Sequence, residues 1–308
     1  MKKDDILQPF LFEHGNIRGC IVNLTKTYQT IINQHPYPAA VKKLLGEAMI
    51  SCLFLSASMK FEGTLSLQFQ GDQRLSLLAV QCDDKLQLRA TAKYEDQLNT
   101  EDYDASFLSG QLSLTLNMAH QPNVYRSIVP INSCSMSENM MHYLSQSEQI
   151  TSQVWLATSE TQAAGMMVQL MPEKNISQQE QFWEYALAIG QTLQAQELFT
   201  LDNQTILHRL YHETDIRLFD ERPIRFKCSC SLEKMKNVLL MLGAEEAQQI
   251  LRERGQIDIN CDFCNRHYQF DAIDTEALFH PQSIGQGKPF DSTVKITKEI
   301  KVSPTKKK

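Results

Sequence analysis

Between Gly63 and Ala92 apolar and polar residues alternate. Leu65, Leu67 and Phe69 have polar neighbours, Gly71-Asp72 offers a turn, and Leu75, Leu77 and Ala79 alternate again. Asp83-Asp84 turns once more, and Leu86, Leu88 and Ala90 follow. Successive strand side chains point to opposite faces, so this stretch predicts a three-stranded antiparallel meander with one buried face. Leu112, Leu114 and Leu116 predict a further strand, and SQVWLAT and AAGMMVQLMP two more. Helical spacing replaces alternation after Pro38, a good first-turn residue, where Val41, Leu44, Leu45, Ala48, Met49, Cys52 and Leu55 recur. SENMMHYLSQSEQI reads as a second, amphipathic helix capped at Ser137. The expected fold class is therefore α+β, with an N-terminal domain over residues 1–174 of antiparallel sheet flanked by helices.

The pattern changes beyond Pro172. Ser177 and Glu180 have capping-box spacing, and a second helix is expected after Asp202. No strand pattern occurs between about 175 and 215, so residues 175–221 form a helical middle linker. Phe182, Trp183, Tyr185, Leu187 and Ile189 crowd its first helix. So many apolar groups need a surface to bury them, which makes the segment one that docks. Residues 222–290 form a small C-terminal domain. Two short helices end at Gly243 and Gly255, and QIDINCDFCNRHYQFD reads as a hairpin with CDFC at its turn. Residues 291–308 form a basic tail, expected to be disordered.

The chain has 308 residues, enough for two or three domains, with 42% hydrophobic and 21% charged residues, the balance of a globular protein. A net charge of −6 opposes binding of nucleic acid by the molecule as a whole. The apolar run near the N-terminus is short and interrupted by Glu13 and His14, unlike a secretory signal. No stretch approaches the roughly 18 apolar residues of a membrane helix. A cytoplasmic protein is expected.

Four of the eight cysteines fall in two pairs, Cys228-Ser-Cys230 and Cys261-Asp-Phe-Cys264, thirty residues apart. In a reducing compartment clustered thiols point to a metal or to redox chemistry. Zinc prefers tetrahedral thiolate sulfur, and a CxxC turn presents two sulfurs to one ion. The four thiols are therefore expected to hold one zinc per chain. His267 stands close enough in sequence to serve as a ligand, but a hydrogen-bonding role suits it better while four thiols are present. The apolar set of the C-terminal domain is small: Leu232, Met235, Leu239, Leu242, Ile250, Ile257, Ile259 and Phe270. Such a domain needs its metal to fold. CxC lies outside the usual spacing of structural zinc pairs, and its two thiolates are close enough to oxidise. A static ribbon and a redox switch whose output is unfolding both remain open at this level. Cys20, Cys52, Cys82 and Cys134 are scattered and read as small buried hydrophobes.

No nucleotide-binding glycine motif or nucleophile elbow appears, and CxxC lacks the βαβ setting of a thiol oxidoreductase. No HExxH-type spacing occurs. His208 and His212 are four apart on an expected helix with no evident third ligand. No enzyme activity is expected.

RFKCSCS, twenty-nine residues, then CDFCNRHYQFD resembles the C-terminal zinc module of the 33-kilodalton heat-shock protein family, bacterial redox-regulated holdase chaperones. FLFEHGNIRG, HPYPAAVKKLLGEAM, KFEGTLSLQFQGD, HYLSQSEQITSQVWLA and MLGAEEAQQILRERGQI extend the likeness over nearly the whole chain. The resemblance implies a reduced, inactive form with zinc on Cys228, Cys230, Cys261 and Cys264. Oxidation would form Cys228–Cys230 and Cys261–Cys264 disulfides, release the metal and unfold the C-terminal domain and linker. The active form would bind unfolding client proteins without ATP, preventing their aggregation under oxidative stress. It would be a homodimer when oxidised and a monomer when reduced. Phe182, Trp183, Tyr185 and Leu187 are the candidate client surface, packed on the first domain until the switch opens. Three positions depart from the family pattern: GDQR where Gly-Pro commonly follows Gly-Asp, Ser127 where glycine is common, and LEKM where basic residues often follow the CxC serine. The alternative is a structural zinc ribbon that binds nucleic acid through Arg252, Arg254, Arg266 and the terminal lysines.

Overall fold

The computed structural model of the chain describes residues 4–71, 74–95, 110–119, 124–172 and 176–279. Its elements are β1 (Ile6–Phe12), β2 (Ile17–Leu24), α1 (Lys26–Ile32), α2 (Ala39–Ser58), β3 (Gly63–Gln70), β4 (Leu75–Asp83) and β5 (Gln87–Tyr94). There follow β6 (Gln111–Met118), β7 (Tyr125–Pro130), α3 (Met136–Ser147), β8 (Ser152–Thr158), β9 (Ala163–Leu170), α4 (Ile176–Gly190), α5 (Ala195–Thr200) and α6 (Asn203–Tyr211). The chain continues through β10 (Ile216–Leu218), β11 (Arg222–Pro223), β12 (Arg225–Phe226), α7 (Leu232–Leu242), α8 (Ala244–Arg254), β13 (Ile257–Asn260), β14 (His267–Phe270) and α9 (Ala272–Phe279). Met1–Cys230 together with Asn260–Arg266 form one compact unit. Ser231–Ile259 and the chain from His267 form the other.

The first unit is α+β and carries two six-stranded sheets. One runs β10-β1-β2-β9-β8, with β11 also on β1. The other runs β12-β5-β4-β3-β6-β7. The expected meander is β3-β4-β5, antiparallel throughout. Its inward set differs from the expected one in β4, where a register shift between Leu75 and Leu77 moves the buried face to Leu78, Val80 and Cys82. A bulge inserts one residue, and with a period of two that exchanges the faces.

α2 packs on sheet, as expected, but on two of them. It lies between the two, and residues 48–56 are buried without a break. A helix that is apolar all round has no solvent face, and this one packs against both layers. Pro38 is its cap residue and not a first-turn residue. α3 is capped two residues earlier than expected: the Ser135 hydroxyl, not Ser137, accepts from the Glu138 amide at 3.4 Å. Cys20, Cys52 and Cys82 are buried, whereas Cys134 is exposed just before α3, where no apolar layer covers it.

β1 and β2, unannounced by alternation, are sandwiched. Cys20, Val22 and Leu24 face α2, while Ile17 and Ile21 join a second core with Phe10, Phe12, Met166 and Val168. The middle segment covers that second face. Ala186, Leu198, Ile206, Leu207, Leu210 and Tyr211 are buried in it, with Phe182, Trp183, Tyr185 and Leu187 half-buried at its edge. The Phe12 ring meets Phe182 edge-on at 5.5 Å and Tyr211 at 4.9 Å. Gly15, in the turn between β1 and β2, has φ +83° and leaves the space that the Phe182 ring fills. α6 is capped as expected, Asp202 accepting from the Thr205 amide at 2.9 Å. The Ser177 side chain, the GDQR turn at Asp72 and Gln73, and the basic tail lie outside the described residues.

The second unit holds α7, α8 and α9 with the β13–β14 ladder. Gly243 and Gly255 end α7 and α8 at φ +95° and +79°. Its buried apolar residues are few: Leu239, Ala247, Ile257, Tyr268 and Phe270. Leu242, expected inside, is 45% exposed, and Met241 beside it 79%. Among the described residues no helix is long and apolar enough to cross a membrane.

Candidate metal centre

The CxC motif continues an edge strand. Buried Ile224 and half-buried Phe226 anchor β12 in the core, and β12 adds to β5 in parallel, Arg225 opposite Gln87 and Phe226 opposite Leu88. The Arg225 amide donates to Leu86 O at 3.2 Å and the Lys227 amide to Leu88 O at 3.0 Å. Cys228 and Cys230 thus leave the sheet from a fixed point. The CxxC pair sits in a tight knuckle after β13. The Cys261 amide donates to Arg266 O and the Asn265 amide to Cys261 O, with Asn265 left-handed at φ +51°.

All four sulfurs lie within 4.8 Å of one another. Cys228 Sγ is 3.7 Å from Cys261 Sγ, and Cys230 Sγ is 3.4 Å from Cys264 Sγ. A tetrahedral zinc thiolate with bonds of about 2.3 Å has S···S edges of about 3.8 Å, so the donor set fits one zinc ion in both number and spacing. Both of these approaches run between the motifs, so each motif contributes half of one constellation. Burial opposes ionisation of Cys228, but hydrogen bonds from the Cys230 amide, from Cys264 and from Arg89 outweigh it and bring the thiol down to about 7. Burial first, and then the thiols and charge beside them, push Cys261 and Cys264 up. Without a cation the cluster favours a thiolate at Cys228 over one at Cys261 or Cys264.

His267 is not among these donors. Its Nε2 lies 3.1 Å from Asp258 Oδ1, the hydrogen-bonding role expected of it. The rings of His208 and His212 are 6.2 Å apart on the outer side of α6. Arg252 and Arg254 are exposed on α8 among Glu245, Glu246 and Glu253.

Sequence reasoning missed the residues that hold the knuckle on the sheet. Arg89 of β5 faces outward, opposite Gln81 of β4. Its Nε and Nη2 donate to Gln81 Oε1, and its Nη1 donates to Cys228 Sγ at 3.7 Å. The guanidinium carbon stands 4.1 Å over the Phe263 ring. Lys93 Nζ lies 3.1 Å from Asp262 Oδ2 and His35 Nε2 lies 2.8 Å from Asp262 O. A carbonyl only accepts, so the second contact has His35 protonated at Nε2. The one available signal was that Arg89 and Lys93 share the polar face of the meander.

Residues 5–271 match the family model described as Hsp33 protein. The chain is 41% identical over 281 residues to the 33 kDa chaperonin of Pseudomonas savastanoi pv. phaseolicola, covering 89% of this chain and 93% of that one. It is 39% identical over 288 residues to the 33 kDa chaperonin of Methylobacillus flagellatus, covering 93% and 98%. A crystal structure of the 33 kDa chaperonin from Thermotoga maritima matches its fold with a TM-score of 0.78 at 22% identity, over 89% of this chain and 97% of that one.

Proposed function

Since this chain belongs to the Hsp33 family, we propose that it is an ATP-independent holdase chaperone switched on by oxidation of Cys228, Cys230, Cys261 and Cys264, and not an enzyme. The observation that carries this reading is the convergence of four sulfurs from two separated motifs on one point. The chaperonin names of its relatives support the chaperone activity.

Zinc, when bound, keeps all four sulfurs as thiolates and ties the CxC strand to the CxxC knuckle. The thin core of the second unit makes its folding depend on that tie. Each disulfide forms as two thiolates give up two electrons to peroxide, which takes two protons from solvent and becomes two waters. Pairing within a motif, Cys228–Cys230 and Cys261–Cys264, is the pairing that the family resemblance implies. The disulfides leave no thiolate donor for a metal. Residues 222–290 then lose order, the helical segment 175–221 undocks, and Phe182, Trp183, Tyr185 and Leu187 pass from the second core to unfolding clients. The oxidised form is a homodimer and the reduced form a monomer, acting in the cytoplasm against oxidative stress.

Zinc release and aggregation suppression measured together test this. Reduced protein is treated with hypochlorite, free zinc is followed with a chromogenic chelator, and scattering of a heat-unfolding client is recorded. About one zinc per chain leaves as scattering falls. Zinc that stays bound, or leaves without suppression, rejects the switch. Peptide mapping of the oxidised protein decides the pairing.

A further inference from the structure

Arg89 uses each part of its fork differently. Two donors are committed to Gln81, one reaches Cys228, and the flat face lies on Phe263. One side chain on the core sheet therefore touches a sulfur of the CxC motif and the ring inside the CxxC motif. Gln81, its cross-strand partner, fixes its direction from behind. Lys93 and His35 hold Asp262 of the same knuckle from two other points of the first unit. Apart from the Arg89–Cys228 bond, these contacts involve no sulfur and so need no metal.

We propose that Arg89, braced by Gln81, is a positioning residue of the thiol cluster: it latches the CxC strand and the CxxC knuckle onto β5 and so sets how firmly the four sulfurs hold their metal. Lysine cannot replace it. A single ammonium reaches the sulfur or the glutamine, but it cannot bridge both while lying flat on a ring. Groups that orient metal ligands from outside typically change metal affinity by about 10- to 100-fold when removed, and an Arg89 truncation belongs in that range. Through Phe263 and Asp262 the sheet also grips the knuckle at points other than the sulfurs. Loss of Arg89 weakens docking with every donor atom intact.

The test uses the full chain, reduced, as wild type, Arg89→Met, Arg89→Lys, Phe263→Leu and, as a surface control, Lys85→Met. Hydrogen exchange of residues 225–230 and 260–266 is measured on the protein as purified, and zinc affinity is measured by chelator competition. Thermal unfolding checks that the core is intact. In Arg89→Met, exchange in both segments rises and zinc affinity falls about tenfold or more. Arg89→Lys recovers only part of each, Phe263→Leu raises exchange at the knuckle, and Lys85→Met changes neither. Exchange and affinity within twofold of wild type in Arg89→Met overturn the proposal. Full recovery by lysine overturns it too, because charge alone would then suffice. Phe263→Leu exchange equal to wild type removes the stacking contact from it, and that variant decides alone if Arg89→Met does not fold. The affinity arm rests on the zinc reading. If wild type binds no zinc, that reading fails while the exchange arm still decides the latch.

Discussion

Replacing Gly15 by alanine puts a methyl group into the ring of Phe182. The backbone there is left-handed at φ +83°, which costs a residue with a side chain about 1–2 kcal/mol. The steric part has a ceiling, because the ring can leave. It cannot exceed the free energy of undocking Phe182 from Phe12 and its neighbours, about 1–3 kcal/mol for a half-buried aromatic with edge-on contacts. Together these come to about 2–5 kcal/mol, of which only the steric share acts on α4. That share raises the population of undocked α4 by a factor of about 5 to 150, since 1.4 kcal/mol is tenfold. Hydrogen exchange of residues 176–190 in the reduced protein reads this directly. A double-mutant cycle with Phe182→Ala separates the two parts. In the Phe182→Ala background Gly15→Ala should cost only its backbone share, leaving a coupling of about 1–3 kcal/mol. Aggregation suppression by reduced Gly15→Ala should rise if the undocked face binds clients. An additive cycle would refute the claim that Gly15 is the seat of Phe182. Faster exchange with no gain in suppression would refute α4 as the client surface.

Chelation of metal from the reduced protein should abolish protection in residues 231–259 and 267–279 while α2 stays protected, as exchange mass spectrometry would record. Cys230→Ser removes one of four donors, and zinc affinity should drop with the same loss of protection at residues 231–259. Phe54→Ala empties a fully buried site between the sheets and should destabilise the first unit by about 3–5 kcal/mol in urea unfolding. Asp5 is held above the usual carboxylate value chiefly by burial, against hydrogen bonds from the Thr25 and Thr27 amides. The folded state therefore binds its proton more tightly than the unfolded state. That contribution is complete below 3.8 and disappears as pH rises through the raised folded value. Asp5→Asn keeps an oxygen for both amides, 2.9 and 3.1 Å away in wild type, and has no such dependence. Wild type should gain on Asp5→Asn as pH falls from 7 to 4.5, and a constant difference in urea midpoints would reject the assignment.

The meander and the paired thiols were legible because each follows from local rules: alternation with turn residues for one, ligand type and spacing for the other. The position of α2 was not. Its helical period announces a helix, but only the second sheet explains why Ile50, Leu53 and Phe54 are buried as well. β2 is apolar on both faces and carries no alternation to read, and β1 contains Pro9, a residue that argues against a strand from sequence alone. β11 and β12 are two residues each and exist only through their partners. Arg89 looks like any outward residue of a sheet until the knuckle is placed against it.

The path of the chain from Ile216 to Phe226 has a mechanical consequence. It pairs with β1 of one sheet through β10 and β11, then crosses to β5 of the other through β12. Each attachment is two or three residues long, so a pull from the thiol end loads them in series. They part as a seam unpicks, stitch after stitch, β12 first and then β11 and β10, before strain reaches α6. Under the proposed switch, release of the helical segment would be graded by how far the unpicking has run, and re-reduction would restitch the seam from whichever stitch still holds.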